Sequence, residues 1–156
     1  MTAQTPDVLM LDGDRHALFS LPLEPYFEEL AGRPKFRVPH TGCWRGYVAS
    51  WEVKDNRLFL VSVRGQLADG TQFDPAWLFP DEPLPVLAKW FTGTLKLPLG
   101  NLLEYVHMGF ASFYEDELRL TVERGVLVKR TRRNASPFGW LKSRIELWRR
   151  RLFSAF

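Results

Sequence analysis

Trp44-Arg45-Gly46-Tyr47-Val48-Ala49-Ser50-Trp51-Glu52-Val53, then Lys54-Asp55-Asn56-Arg57, then Leu58-Phe59-Leu60-Val61-Ser62-Val63 is the stretch that decides the fold. Both flanks are rich in aromatic and β-branched residues, which suit a pleated, half-buried surface, and the polar tetrapeptide between them carries turn chemistry. Two strands joined by a tight turn are expected. Upstream, Val8-Leu9-Met10-Leu11 and His16-Ala17-Leu18-Phe19 flank Asp12-Gly13-Asp14, where glycine supplies the positive φ that a hairpin favours. Between these hairpins, Leu23, Tyr26, Phe27 and Leu30 recur at helical spacing, and Gly32 with Pro34 ends the run. One short helix is expected there.

Downstream the signals are sparser. Gln66 to Pro85 holds Gly70 and prolines at 75, 80, 83 and 85, which predicts a long surface loop. Val86 to Phe91 is expected as a helical turn, followed by a strand at Thr94 to Leu97 that Pro98 and Gly100 end. Leu102 to Phe110 and Leu118 to Val122 read as two strands joined through Tyr114 to Glu117, and Glu123-Arg124-Gly125 turns the chain into Val126 to Lys129. The expected fold is α+β and mainly β: an antiparallel meander or partial barrel of seven or eight strands, with one short helix and a C-terminal amphipathic helix.

That last helix follows a polar linker, Lys129 to Asn134, and starts at Ser136-Pro137, a capping residue with proline at the first helical position. Phe138, Leu141, Ile145, Trp148 and Leu152 form its apolar stripe. The charge divides at the same place. Residues 129–156 hold nine Lys or Arg and one acid, Glu146, whereas residues 1–128 hold twelve against seventeen acids, so the overall +3 hides a basic tail on an acidic body. Two parts are expected, a β-rich domain at 1–128 and a basic segment at 129–156. The tail can dock on the body, lie on a membrane surface through Trp140, Trp148, Arg149, Arg150 and Arg151, or meet a partner. Nucleic acid is the weakest of these readings, because no recognition motif accompanies the arginines.

Composition bounds the rest. The chain has 156 residues, 46% apolar and 25% charged, which is one ordinary globular domain. One cysteine, Cys43, permits no intramolecular disulfide, and neither a secretory signal nor a run long enough to span a membrane is visible, so a cytoplasmic location is expected. Phosphate loops, nucleophile elbows and zinc spacings are missing from the sequence, and no cofactor or metal is expected. His107, with Glu104 or Glu115 nearby, is a candidate general base, and His40 with Cys43 a candidate thiol site; a strand histidine and a packing cysteine are the plainer readings.

Leu11-Asp12-Gly13, Pro22-Leu23-Glu24-Pro25-Tyr26-Phe27, Cys43 to Glu52 and Glu104-Tyr105-Val106-His107-Met108-Gly109 together resemble a group of small bacterial β-rich proteins, over about residues 8–128. The resemblance carries no activity to transfer. It implies an association with bacterial toxin systems, in which such domains serve as immunity proteins that cover a toxin's active site. The expected function is therefore a non-enzymatic protein-interaction module, with a cationic toxin as the partner that an acidic body would suit. Trp77, Phe79, Asp81, Glu82 and Trp90, on and beside the long loop, are the expected contact residues. A peripheral membrane protein, an enzyme built around His107 and a homodimer sharing tails are the alternatives.

Overall fold

The computed structural model describes residues 3–104 and 113–134, and its regular structure is mainly β. Three tight reversals organise it. Asp12 and Gly13 (φ 53° and 84°) join β1 (Asp7–Leu11) to β2 (Asp14–Leu18), and Asp55 and Asn56 (51° and 57°) join β3 (Tyr47–Lys54) to β4 (Arg57–Gly65). Two consecutive left-handed residues give the turn twist that matches paired strands. After the helix α1 (Glu24–Glu29, between β2 and β3) and the strands β5 (Val86–Leu87), β6 (Gly93–Glu104) and β7 (Phe113–Glu123), Arg124 and Gly125 (47° and 80°) make the third reversal, into β8 (Val126–Asn134).

The strands follow the order β2-β1-β3-β4-β8-β7-β6, with β5 added to β4. The expected antiparallel meander needs one correction: β1 runs parallel to β3, with Val8 opposite Ser50 and Met10 opposite Glu52. The connection through α1 is long enough to return the chain to the start of a parallel neighbour, which a tight turn cannot do. The β4–β8 junction is narrow. Leu58 N–H donates to Gly125 C=O and Leu127 N–H to Asn56 C=O, each at 2.8 Å, so two hairpin tips abut there and the strands then diverge. At the other end of the path Phe19 N–H donates to Lys96 C=O at 2.8 Å, and Ser20 Oγ accepts from Lys96 N–H and donates to Thr94 C=O.

Leu9, Leu11, Leu18, Tyr47, Ala49, Trp51, Leu58 and Leu60 from the first four strands join Leu95, Leu97, Leu118, Leu120 and Val122 of β6 and β7 in one buried cluster. Leu23 and Phe27 of α1 and Phe73 and Leu78 of the long loop complete it. A bulge in β4 shifts the register between Ser50↔Ser62 and Trp51↔Leu60, which turns Leu60 and Val63 inward and leaves Val61 at the surface.

Four further expectations give way to longer strands. Val86-Leu87 is a strand against Leu60 and Phe59, not a helical turn, because pairing with β4 buries Val86 and half-buries Leu87. β6 runs through Pro98 and Gly100; its irregularity between Leu99 and Leu102 absorbs the glycine, and a proline is tolerated on a strand at the end of the sheet path. Tyr114 to Glu117 belong to β7 rather than to a turn. The cationic stretch Lys129 to Asn134 is the second half of β8. Beyond Leu127 the outer side of β8 has no strand partner among the described residues, and Lys129, Arg130, Arg132 and Arg133 are exposed along it, charges that discourage edge-to-edge pairing. Arg130 reaches Asp12 at 2.7 Å and Arg132 pairs with Asp116. The expected C-terminal helix, with Trp140, Trp148, Arg149, Arg150 and Arg151, and residues 105–110 of an expected strand lie outside the described residues. No helix among the described residues is long and apolar enough to cross a membrane.

Candidate functional site

The long loop folds back on the segment after α1 and leaves a groove of about 660 Å³. Trp77, Leu67, Phe73 and Pro34 supply apolar lining, and Arg33, Lys35, Asp69 and Asp74 supply charge of both signs. Trp77 ends a 3-10 turn, Pro75–Trp77, whose geometry the sequence sets locally: proline fixes φ at the first position, and the Asp74 carboxylate accepts Ala76 N–H at 2.9 Å. Trp77 N–H donates to Asp74 C=O at 3.0 Å, while the next residue, Leu78, is buried in the core. The indole is thus carried on an anchored turn yet is 62% exposed, an unusual state for so large an apolar side chain.

The groove's wall is tied to the interior by a chain of charges and rings. Arg33 forks onto Glu24 at 2.5 and 3.0 Å and lies 5.0 Å from the Phe27 ring centre; the Tyr47 hydroxyl donates to Glu24 Oε1 at 2.7 Å. Arg45 lies 5.2 Å from the Tyr47 ring centre and pairs with Asp7 at 2.7 Å. Asp7 is fully buried, and its carboxylate also accepts Ala49 N–H at 3.0 Å and Trp51 Nε1–H at 3.1 Å. The Arg45 Nε is buried without a partner among the described residues. Burial pushes the Asp7 carboxyl up, against the pull of Arg45 and the Ala49 and Trp51 donors. Burial also drives the Tyr47 phenol far up, aided by its bond to Glu24. At Glu24 burial acts in the same upward sense but is outweighed by the Arg33 and Tyr47 hydrogen bonds, which hold the carboxyl below its ordinary value of 4.5.

A depressed carboxyl lends stability above its unfolded pKa and loses it as pH falls through the folded one. The stability gap between the wild type and Glu24→Gln is therefore expected to be full at neutral pH and to close below about pH 4.5. Thermal melts of both proteins between pH 7 and 3 measure it, and a gap that widens in acid would contradict the assignment.

The expected contact residues separate. Trp77 alone lines the groove. Phe79 and Trp90 are half-buried and stack with Tyr26, at ring distances of 4.9 Å for Tyr26–Phe79 and 5.4 Å for Phe79–Trp90, and Trp90 Nε1–H donates to Pro22 C=O at 2.8 Å. They are packing residues that fasten the loop to α1. Asp81 and Glu82 are exposed but do not line the groove. Of the candidate base and its acids, His107 lies outside the described residues, while Glu104 ends β6 and Glu115 lies within β7. His40 and Cys43 form no thiol–imidazole pair: the buried thiol points to Tyr47 C=O at 3.6 Å, and His40 Nδ1 accepts Gly42 N–H at 3.1 Å. Among the described residues no three His, Cys, Asp or Glu side chains gather as metal ligands.

Asp7 and Arg45 carried no motif, yet one signal marked the acid. Asp7, Leu9 and Leu11 alternate along one strand, so period two puts a carboxylate on the apolar face, where it needs a buried partner. No family model matches the chain, and neither the curated proteins nor the solved structures contain a match to it.

Proposed function

We propose that this protein is a non-enzymatic interaction module whose contact surface centres on Trp77. The observation that carries the reading is a 62% exposed indole held on a hydrogen-bonded turn beside an apolar groove. A large aromatic on a backbone turn that is already fixed loses little main-chain entropy on binding, which suits an interface hot spot. A partner would seat an apolar side chain against Trp77, Leu67 and Phe73, with Arg33, Lys35, Asp69 and Asp74 setting orientation. The most concrete form of this function is an immunity protein that occludes the active site of a bacterial toxin, acting in the cytoplasm. Asp69 and Asp74 offer acids to a cationic toxin at the groove itself.

Trp77→Ala is expected to leave folding stability within about 0.5 kcal/mol, as for exposed positions, and to cost at least about 2 kcal/mol in partner affinity. Tagged wild-type and variant proteins would be captured from their own cells and the bound proteins identified by mass. A stoichiometric toxin-like partner held by the wild type and released by the variant supports the proposal. Equal retention by both overturns the role of the groove.

A further inference from the structure

Arg37 and Arg64 are remote in sequence, and the backbone places them on one surface. Lys35 to Arg37 runs antiparallel beside Gln66 to Ala68: Phe36 bridges Leu67, Arg37 N–H donates to Gln66 C=O at 2.8 Å, and Ala68 N–H donates to Lys35 C=O at 2.8 Å. Phe36 packs among the rings of Phe27, Tyr47 and Phe73 in the core, so by alternation Arg37 belongs to the opposite face. Arg64, on β4 opposite Val48 and next to the core-facing Val63, belongs to that outer face as well. Both arginines line one cleft of about 510 Å³, together with His40, Gln66, Val48 and Pro39, and no Asp or Glu lines it.

Five arginines elsewhere, at 33, 45, 119, 130 and 132, each meet a carboxylate. The guanidinium groups of Arg37 and Arg64 make no ion pair or hydrogen bond with any described residue. Like charges on neighbouring strands repel, and here nothing in the cleft offsets them. His40 adds a donor, since an Nδ1 that accepts the Gly42 N–H leaves the ring proton on Nε2. Two guanidinium forks, an imidazole N–H and the Gln66 amide match the several acceptor oxygens of a carboxylate or phosphate. Val48 and Pro39 offer apolar surface for the rest of a ligand, and the volume is that of a small-molecule site.

We propose that this cleft binds a small organic oxyanion, a carboxylate or phosphate on a short apolar body, between Arg37 and Arg64. The site is distinct from the Trp77 groove, with which it shares only Gln72, and does not depend on a partner protein.

The test uses the full chain, 3-phenylpropionate and phenyl phosphate as probes, and benzyl alcohol as the uncharged control, followed by amide NMR. At least one anion is expected to give saturable shifts at Arg37, Arg64 and Gln66 that weaken as salt is added, and the tighter of the two identifies the head group. Arg37→Gln and Arg64→Gln are each expected to weaken binding roughly tenfold, whereas Arg124→Gln, on the β7–β8 turn, leaves it unchanged. Both arginines are exposed, so the variants are expected to fold, which their amide spectra would verify. Non-saturating shifts with both anions, equal binding of benzyl alcohol, or full affinity in the folded double variant would overturn the proposal.

Discussion

Asp7→Ala is expected to remove about 3–5 kcal/mol of stability, a large share of the roughly 5–15 kcal/mol that a domain possesses. The loss does not come from the pair's own attraction. Taking away the carboxylate leaves Arg45, whose side chain is 7% exposed, as a buried charge with one remaining carbonyl partner, and strips the acceptor from Ala49 N–H and Trp51 Nε1–H. Urea unfolding at pH 7 reads the change as a shift in midpoint at constant slope. A loss below about 1 kcal/mol would mean that water replaces the carboxylate. Arg45→Met on the same background is expected to restore part of the stability, because it removes the orphaned charge. The pH signature is opposite to that of Glu24. A raised carboxyl lends most below its unfolded value and less as pH rises through the folded one, so the gap between the wild type and Asp7→Ala widens as pH falls towards 3.8.

Gly46→Ala is expected to cost about 2–6 kcal/mol, from two sources of about 1–3 kcal/mol each. Gly46 has φ +79°, and a Cβ there would stand 2.5 Å from Phe36 Cβ and 2.9 Å from Arg37 O. Both neighbours are fixed, Phe36 by three aromatic contacts and Arg37 by its bond to Gln66. Gly13 is the matched control. Its φ is +84° but a Cβ would meet nothing within 4 Å, so Gly13→Ala should cost only the backbone strain, about 1–2 kcal/mol. Urea midpoints compare the pair, and equal losses would show that the Phe36 segment yields. The same substitution displaces Arg37 and should weaken the oxyanion cleft with it.

What was legible in the sequence was local. Asp12-Gly13, Asp55-Asn56 and Gly125 carry the residue types that positive φ favours, so each hairpin could be placed from its own turn. The Leu23-to-Leu30 periodicity gave α1, shortened to six residues by its caps. What escaped depends on distant neighbours. The polar Tyr114 to Glu117 is strand because β6 and β8 flank β7, and the cationic half of β8 is strand because β7 supplies its hydrogen bonds. The parallel β1–β3 pairing has no signature in either strand. Trp77 was singled out from its place on a proline-rich loop, but Phe79 on the same loop and Trp90 just beyond it became packing residues through Tyr26. The Arg37 and Arg64 pairing was invisible, since it exists only once residues 35–37 lie beside 66–68.

The narrow junction between the two hairpin tips has a consequence for how the chain emerges during synthesis. Strands β1 to β4 end at Gly65 and can hydrogen-bond to one another before β6 and β7 exist, because so few backbone bonds link the halves. Until Val122 has been made, roughly 3–12 s later at about 5–20 residues per second, Trp51, Leu58 and Leu60 lack the β6 and β7 residues of their buried cluster. A nascent chain paused in that interval presents a greasy, preformed platform on the ribosome, and chaperone demand should peak there.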